Sequence, residues 1–224
     1  SVIMPALNEA TSIGDVVRCV PVEALAARGF DTEILVVDNG STDGTGDLAR
    51  EAGARVVLET KRGYGYAYRR GFQEARGDII CTMDCDGTYP ADVLPQLVTT
   101  LLENDLDFIN TNRFTFMTNG VMSRRNRAGN VVLSLTSRAL FRLPFRDSQS
   151  GMWVFRSELL GNMKLRSGGM ALSEEIKIEA AWRLKARCAE VPITYNYRHS
   201  GTSKLRVWRD GVGNLLFLMR RRLP

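Results

Sequence analysis

Across its first hundred residues the chain alternates short apolar, β-branched runs with stretches of helical period, and no other feature restricts its fold so tightly. Residues 2–4, 33–37, 55–58 and 79–83 read as strands. Ile13, Val16, Val17 and Val20 follow the i, i+3, i+4, i+7 spacing behind Thr11 and Ser12, which are candidate caps. Leu48, Ala49 and Ala52 run into Gly53, and Ala67, Tyr68, Phe72 and Ala75 run into Gly77, each glycine standing where a helix C-cap would. Pro90 opens a further helix with Val93, Leu94, Leu97, Val98, Leu101 and Leu102 on one side. Strand alternating with helix predicts an α/β fold with a mostly parallel sheet covered by helices on both faces.

The second half is less regular. Residues 106–110, 152–155 and 190–195 are strand candidates, and 123–140, 173–186 and 204–222 are helix candidates. At 224 residues, with no repeat, low-complexity tract or long linker, the chain reads as one domain able to close a substantial core. Its apolar fraction of 44% and charged fraction of 25% exclude a disordered chain.

The net charge of +5 is unevenly placed: Arg124, Arg125 and Arg127 cluster mid-chain, and Arg206, Arg209, Arg220, Arg221 and Arg222 crowd the C-terminus. Such patches suit an anionic partner, although a single arginine more often belongs to a solvated helix face. Aromatics are not interleaved with the basic residues, which argues against nucleic acid. Cys19, Cys81, Cys85 and Cys188 form no CxxC pair and no metal-ligand spacing with the single histidine, His199, so a reduced, cytosolic setting is expected. There is no signal peptide and no run of 18 apolar residues, yet both ends look cut from something longer, with room for membrane helices beyond Pro224.

In an open parallel sheet, ligands bind at the carboxyl ends of the strands. Just past the strand candidates stand PALNE (5–9), DNGSTDGT (38–45), KRGYG (61–65) and DCDGT (84–88), four polar or glycine-rich segments on one sheet edge. Asp84 and Asp86 are the sharpest feature. In extended chain, residues i and i+2 share a face, so the two carboxylates would project together with Cys85 turned away. Such a pair repels unless a cation sits between its members. A hard ion, Mg2+ or Mn2+, takes a few protein oxygens and completes its shell with phosphate oxygens, for which this pair is a suitable half-site. The plain alternative is a turn in which the aspartates cap Gly87 and Pro90. An EF-hand is excluded because Pro95 stands at the twelfth position. The segment from Gly63 to Tyr68 fails as a dinucleotide fingerprint because its sixth position is Tyr68.

Taken in order, PALNE, VVDNGSTDGT, RGYGYAYRRGF, DCDGTYP, DSQSGM and HSGTSKL resemble the family-2 glycosyltransferases of the GT-A fold. The likeness is greatest to the dolichol-phosphate mannose synthase-like, or polyprenyl-phosphate glycosyltransferase, branch, and it runs from Val2 to about Gly211. The resemblance implies a GT-A catalytic domain over 1–204, with a nucleotide-sugar-binding half (1–105) and an acceptor-binding half (106–204), followed by an amphipathic helix over 205–224. It implies that Pro5, Leu7 and Glu9 line the base and ribose pocket, with Gly63 also at the donor site, and that Asp38 bonds the base. Asn39 stands where the family usually has a second acid. Asp84 would face the nucleotide and Asp86 would bind the metal, with Thr88 where mannose synthases often carry a glutamine ligand. Arg113 and Arg127 match acceptor-phosphate positions, and Arg198, Ser203 and Lys204 match a segment that closes over the diphosphate. Glu175 lies where the family places a catalytic or acceptor-binding acid, or else stabilises a helix dipole. Trp153 suits the core better than a sugar platform.

The expected reaction is inverting transfer of a hexose from a nucleotide-diphosphate sugar to a polyprenyl phosphate. A lipid monophosphate, with a second pKa near about 6, is already anionic and needs cations to hold it rather than a base. A hydroxyl acceptor would need one, and Glu175 is then the candidate. The alternatives are therefore a sugar or small hydroxyl acceptor served by Glu175, or a nucleotide-binding domain without turnover. The 204–222 segment, with Leu205, Val212, Leu215, Leu216 and Leu218 among arginines, suits either an anionic membrane surface on the cytoplasmic side or burial against the domain.

Overall fold

The computed structural model describes residues 1–117, 120–198 and 207–223, with side chains in the last run from Asp210 onward. Seven strands form one sheet: β1 (Val2–Ala6), β2 (Ile34–Asp38), β3 (Arg55–Leu58), β4 (Ile79–Thr82), β5 (Phe108–Met117), β6 (Trp153–Arg156) and β7 (Cys188–Tyr195), in the order β3-β2-β1-β4-β6-β5-β7. The pairs β1/β2, β2/β3, β1/β4 and β5/β7 are parallel. Strand β6 runs antiparallel to both β4 and β5 and joins the two halves of the chain into a single mixed sheet. Periodicity predicted β6 as a strand; its direction was not readable, because a fully buried strand carries the same apolar run either way.

Alternate residues of each strand feed two core layers. Val2, Met4, Val36 and Val154 pack with Ile13, Val16 and Val17 of α1 (Ile13–Arg18), Leu25 of α2 (Val22–Ala26), Ala49 of α3 (Thr45–Glu51), and Leu97 and Leu101 of α5 (Leu94–Glu103). On the opposite face Ile3, Leu35, Val37, Ile80, Trp153 and Phe155 pack with Tyr68 of α4 (Tyr64–Glu74), Leu133 and Phe141 of α6 (Arg124–Phe141), and Leu172 and Ile176 of α8 (Leu172–Lys177). Each Val, Leu, Ile, Met or Phe among them, taken fully out of water, contributes about 1.5–3 kcal/mol. Trp153 is wholly buried in this layer, tilted against Tyr68 with ring centroids 5.4 Å apart, as its sequence setting suggested.

Three details bear on the site. Helix α6 starts cleanly because the Ser123 hydroxyl accepts a hydrogen bond from the Asn126 N–H. After the short α7 (Glu158–Asn162), α8 continues into a π-helical turn, Ile178–Arg183, where the pattern predicted one regular helix over 173–186. The last helix, α9 (Val207–Arg222), packs on the domain through the fully buried Leu218, while Arg221 pairs with the buried Glu179 and Arg222 Nε donates to the Leu140 carbonyl (3.1 Å). Its other face leaves Val212, Leu215, Leu216 and Met219 exposed; the packed side agrees with burial against the domain. Among the described residues no helix is long and apolar enough to cross a membrane.

Candidate active site

The carboxyl ends of β1, β2 and β4 open into one cavity of about 400 Å³. Strand β4 stops at Thr82, and a turn through Gly87 (φ +77°) carries both Asp84 and Asp86 into the cavity wall. Their convergence thus comes from a turn rather than from strand alternation. Cys85, expected to turn away, also lines the cavity, with its Sγ 3.4 Å from the Pro5 carbonyl oxygen. Asp86 Oδ1 accepts from the Thr88 N–H (3.0 Å) and the Thr88 hydroxyl (2.6 Å), while Oδ2 lies 2.6 Å from Arg198 Nη2. Thr88, at the position expected for a further metal ligand, instead orients the aspartate. Burial, and then the charge of Asp86, push the Asp84 carboxyl up to about 7. A proton on one carboxyl, or a cation between the two, relieves that pair.

No group of three or more His, Cys, Asp and Glu side chains gathers as a metal cage among the described residues. The half-buried Asp84 and the buried Asp86 in the wall of an open pocket fit Mg2+ or Mn2+, which use few protein oxygens where phosphate and water supply the rest. Asp84 and Asp86 are the residues that would hold such an ion.

Pro5, Leu7, Glu9 and Gly63 line the same cavity. The loop bearing Gly63 is pinned by a residue that had looked like a departure from pattern: Asn39 Oδ1 accepts from the Gly63 N–H (2.7 Å), and its Nδ2 donates to the carbonyls of Glu59 (3.0 Å) and Lys61 (2.8 Å). The glycines of KRGYG serve close backbone approach. A Cβ on Gly63 would lie 2.2 Å from the Gly168 carbonyl oxygen, and one on Gly65 would lie 2.3 Å from that of Ser167.

Several predicted residues fall outside the cavity wall. Asp38 directs Oδ1 at the Ser41 N–H (2.8 Å) within its own loop, and Asn39 lines the cavity in its place. Glu175 is buried and faces away; its Oε2 accepts from the N–H groups of Arg166 (2.9 Å) and Ser167 (2.8 Å), fixing the turn on which Gly63 and Gly65 rest. Capping those two amides gives Glu175 a structural part outside the cavity wall. Arg127 is exposed on α6, whose Asn126, Gly129, Asn130 and Leu133 form the wall.

Arg113 does line the cavity, but as half of a buried ion pair. Its Nε and Nη2 donate to Asp147 Oδ2 (2.7 Å) and Oδ1 (2.8 Å), its own N–H donates to Oδ2 (3.1 Å), and the guanidinium sits 5.3 Å from the Tyr195 ring. Arg198 is in the wall, on Asp86. Ser203, Lys204 and His199 lie outside the described residues. Four wall residues had no role of their own in the sequence reasoning: Tyr64 and Tyr89, beside Asp84, and Gln149, all three inside quoted motifs, and Asn214 outside them, whose side chain meets that of Gln149 at 3.1 Å across the α9 side of the pocket.

The profile of the family described as Glycosyl transferase family 2 matches residues 1–163. Over 222 residues the chain is 35% identical to the glycosyltransferase AglJ of Haloferax volcanii, spanning 98% of this chain and 71% of that protein. Over 212 residues it is 33% identical to a dolichyl-phosphate hexose transferase of the same organism, spanning 95% of this chain and 89% of that protein. Among solved structures, glucosyl-3-phosphoglycerate synthase of Mycobacterium tuberculosis, in complex with Mn2+, UDP and glucosyl-3-phosphoglycerate, aligns with a TM-score of 0.75 at 26% identity, over 97% of this chain and 78% of that one.

Proposed function

The chain belongs to glycosyl transferase family 2 and is a glycosyltransferase; from that premise we propose that it moves a hexose from a nucleotide-diphosphate sugar to a polyprenyl phosphate, inverting the anomeric carbon. The observation that carries the acceptor assignment is the make-up of one stretch of the cavity wall. Helices α6 and α9 form it, and their outer faces expose Val131, Val132, Leu135, Val212, Leu216 and Met219, with Arg124, Arg125, Arg127, Arg220 and Arg222 also exposed. Apolar and cationic side chains on pocket-wall helices suit a lipid phosphate arriving from an anionic membrane surface. The likeness to a dolichyl-phosphate hexose transferase supports the same acceptor, and the complexes of the structural neighbour with Mn2+ and UDP support a nucleotide-bound donor and a divalent ion.

In this reading Pro5, Leu7, Glu9 and the loop pinned by Asn39 hold the nucleotide, and Asp84 and Asp86 carry Mg2+ or Mn2+. The ion, when bound, offsets charge on the leaving diphosphate. Arg198, beside Asp86, with Ser203 and Lys204, adds cationic and hydrogen-bonding support to that end. Arg127 and its neighbours draw the acceptor in, and Arg113 presents a guanidinium edge held in place by Asp147. A phosphate oxygen of the acceptor forms the new bond to the anomeric carbon as the bond to the nucleoside diphosphate breaks, and the electron pair leaves on the diphosphate. No base is required, because the nucleophile is anionic at neutral pH.

The test is transfer itself: UDP-glucose or GDP-mannose, Mn2+ and a polyprenyl phosphate in detergent, with the lipid-linked hexose read by mass spectrometry. Transfer to 3-phosphoglycerate or a free sugar, with none to the lipid, would refute the acceptor assignment and leave the family intact.

A further inference from the structure

The transferred hexose must sit between the departing diphosphate, at Asp84 and Asp86, and the acceptor entering between α6 and α9. One segment touches both ends. Gly151 lines the cavity beside the aspartates: a Cβ there would lie 3.6 Å from Asp84 Oδ1, 2.7 Å from the Tyr64 hydroxyl and 3.4 Å from the Tyr89 hydroxyl. Two residues earlier, Gln149 reaches the acceptor side, its Oε1 accepting from Asn214 of α9 (3.1 Å). We infer that residues 147–151 form the hexose-recognition loop, with Gln149 as its specificity-determining side chain and the buried Lys177 as the residue that positions it. This rests on the reading of the chain as a hexosyltransferase.

The chemistry of Gln149 suits a sugar hydroxyl. Its Nε2 is committed to Glu174 Oε1 (2.6 Å) and Ser148 Oγ (2.8 Å), which leaves the carbonyl end toward Asn214 and the cavity. A carboxamide oxygen has two lone pairs, of which Asn214 takes one. A neutral acceptor at that point receives a hydrogen bond from a hydroxyl and offers nothing to a phosphate oxygen. The charged contacts are thereby kept for the diphosphate at one end of the cavity and the acceptor at the other.

Lys177 explains why the loop is rigid enough to discriminate. It is fully buried on α8, and its ammonium donates to the carbonyls of Ser148, Ser150 and Ser173 at 2.8 Å each, with Ser173 Oγ at 3.1 Å. The Ser150 carbonyl also receives Trp153 Nε1–H (2.6 Å) and the Ser173 hydroxyl (3.1 Å). With its carbonyls gathered inward on one cation, the loop turns the Gln149 side chain and the Gly151 backbone outward to the cavity. The face of the Trp153 ring, 4.9 Å from Nζ, helps to hold the charge in the absence of solvent.

The experiment compares, by calorimetry with Mn2+, the affinity of UDP-glucose with UDP and of GDP-mannose with GDP, for the wild type, Gln149→Ala and Lys177→Ala. Loss of one neutral hydrogen bond should weaken the better nucleotide-sugar by about 2–13-fold in Gln149→Ala while the matching nucleoside diphosphate is unchanged. Lys177→Ala should move the same ratio in the same direction; a merely structural lysine would weaken sugar-bearing and sugar-free nucleotides alike. Deoxy analogues of the better donor then locate the hydroxyl: one of them should bind the wild type weakly and lose that penalty in Gln149→Ala. Should Lys177→Ala fail to fold, Gln149→Ala still decides the question, because that half-buried side chain is trimmed without opening the core. An unchanged ratio in Gln149→Ala overturns the inference alone, whereas a wild type that binds no nucleotide-sugar overturns the functional reading and the inference with it.

Discussion

Replacing Asp147 by asparagine tests whether the cavity wall is built on a buried charge pair. The substitution keeps shape and volume and removes one negative charge. In the wild type the Arg113 side chain is 8% exposed and that of Asp147 0%, and three hydrogen bonds of 2.7–3.1 Å join them. Asparagine can still accept at its single oxygen, so one of the two guanidinium bonds is lost and a cation is left uncompensated away from water. Removing one partner of such a pair costs about 3–5 kcal/mol. For a domain of this size each kcal/mol lowers the melting temperature by about 2–4 °C, so Asp147→Asn should melt about 6–20 °C below the wild type. The double variant Arg113→Met/Asp147→Leu removes both charges and should recover most of that loss, since well-packed apolar replacements of buried pairs are often neutral. Scanning calorimetry at neutral pH reads both. A melting point for Asp147→Asn within about 2 °C of the wild type would mean that solvent or another anion reaches Arg113, and the picture of a dry, prepaired wall would be wrong.

Other outcomes follow from the same geometry. Asp86→Ala and Asp84→Ala should each abolish the Mn2+-dependent part of the thermal shift produced by UDP or GDP, while shifts independent of metal persist; retention of the metal-dependent part would remove the aspartates from the ion site. Glu174 is buried, and desolvation raises its carboxyl to about 8. Relative to an ordinary carboxyl at 4.5, its contribution is complete below 4.5 and is lost as pH rises through 8. Glu174→Gln should therefore match the wild type near pH 5 and gain on it by pH 9, on the order of a few kcal/mol, and a pH-independent difference would contradict the assignment. Val132→Glu with Leu216→Glu, both on exposed faces, should leave the melting point within a few degrees and reduce flotation with anionic vesicles; unchanged flotation would detach α6 and α9 from the membrane.

The sheet with helices on both faces was legible because it rests on periodicity. Residues 2–4 and 33–37 could only be buried strands, and Ile13, Val16 and Val17 only the inner face of a helix. The aspartate turn was legible as chemistry, since two carboxylates at a strand end call for a cation whichever backbone brings them together. Less was readable where polar side chains choose between partners that lie far away in sequence. Asp38 and Asn39 look interchangeable as text, yet the backbone turns one into its own loop and the other onto the Gly63 N–H. Glu175 has the residue type and position of a base, but its direction is set by two amides of a turn nine and eight residues earlier.

The unread contacts share a physical logic. Asn39 fixes Gly63, Glu175 fixes the turn at Arg166 and Ser167 against which Gly63 and Gly65 pack, and Lys177 fixes the carbonyls of Ser148 and Ser150. Each is a buried polar side chain whose burial is tolerable only because backbone groups satisfy it. Each restrains a loop that has few apolar anchors of its own. The Gly63 end of the cavity and its middle are thereby set before any ligand arrives, which lowers the ordering cost of binding there. On the α9 side, the Asn214–Gln149 hydrogen bond joins helix to loop, while Leu218, Arg221 and Arg222 anchor α9 a turn or more further on. Asn214 holds the carboxamide oxygen assigned to the hexose and stands on the helix assigned to the acceptor, so Asn214→Ala should raise the KM of both nucleotide-sugar and acceptor. A change in the acceptor's KM alone would detach Gln149 from the hexose, and a change in the donor's alone would detach α9 from the acceptor.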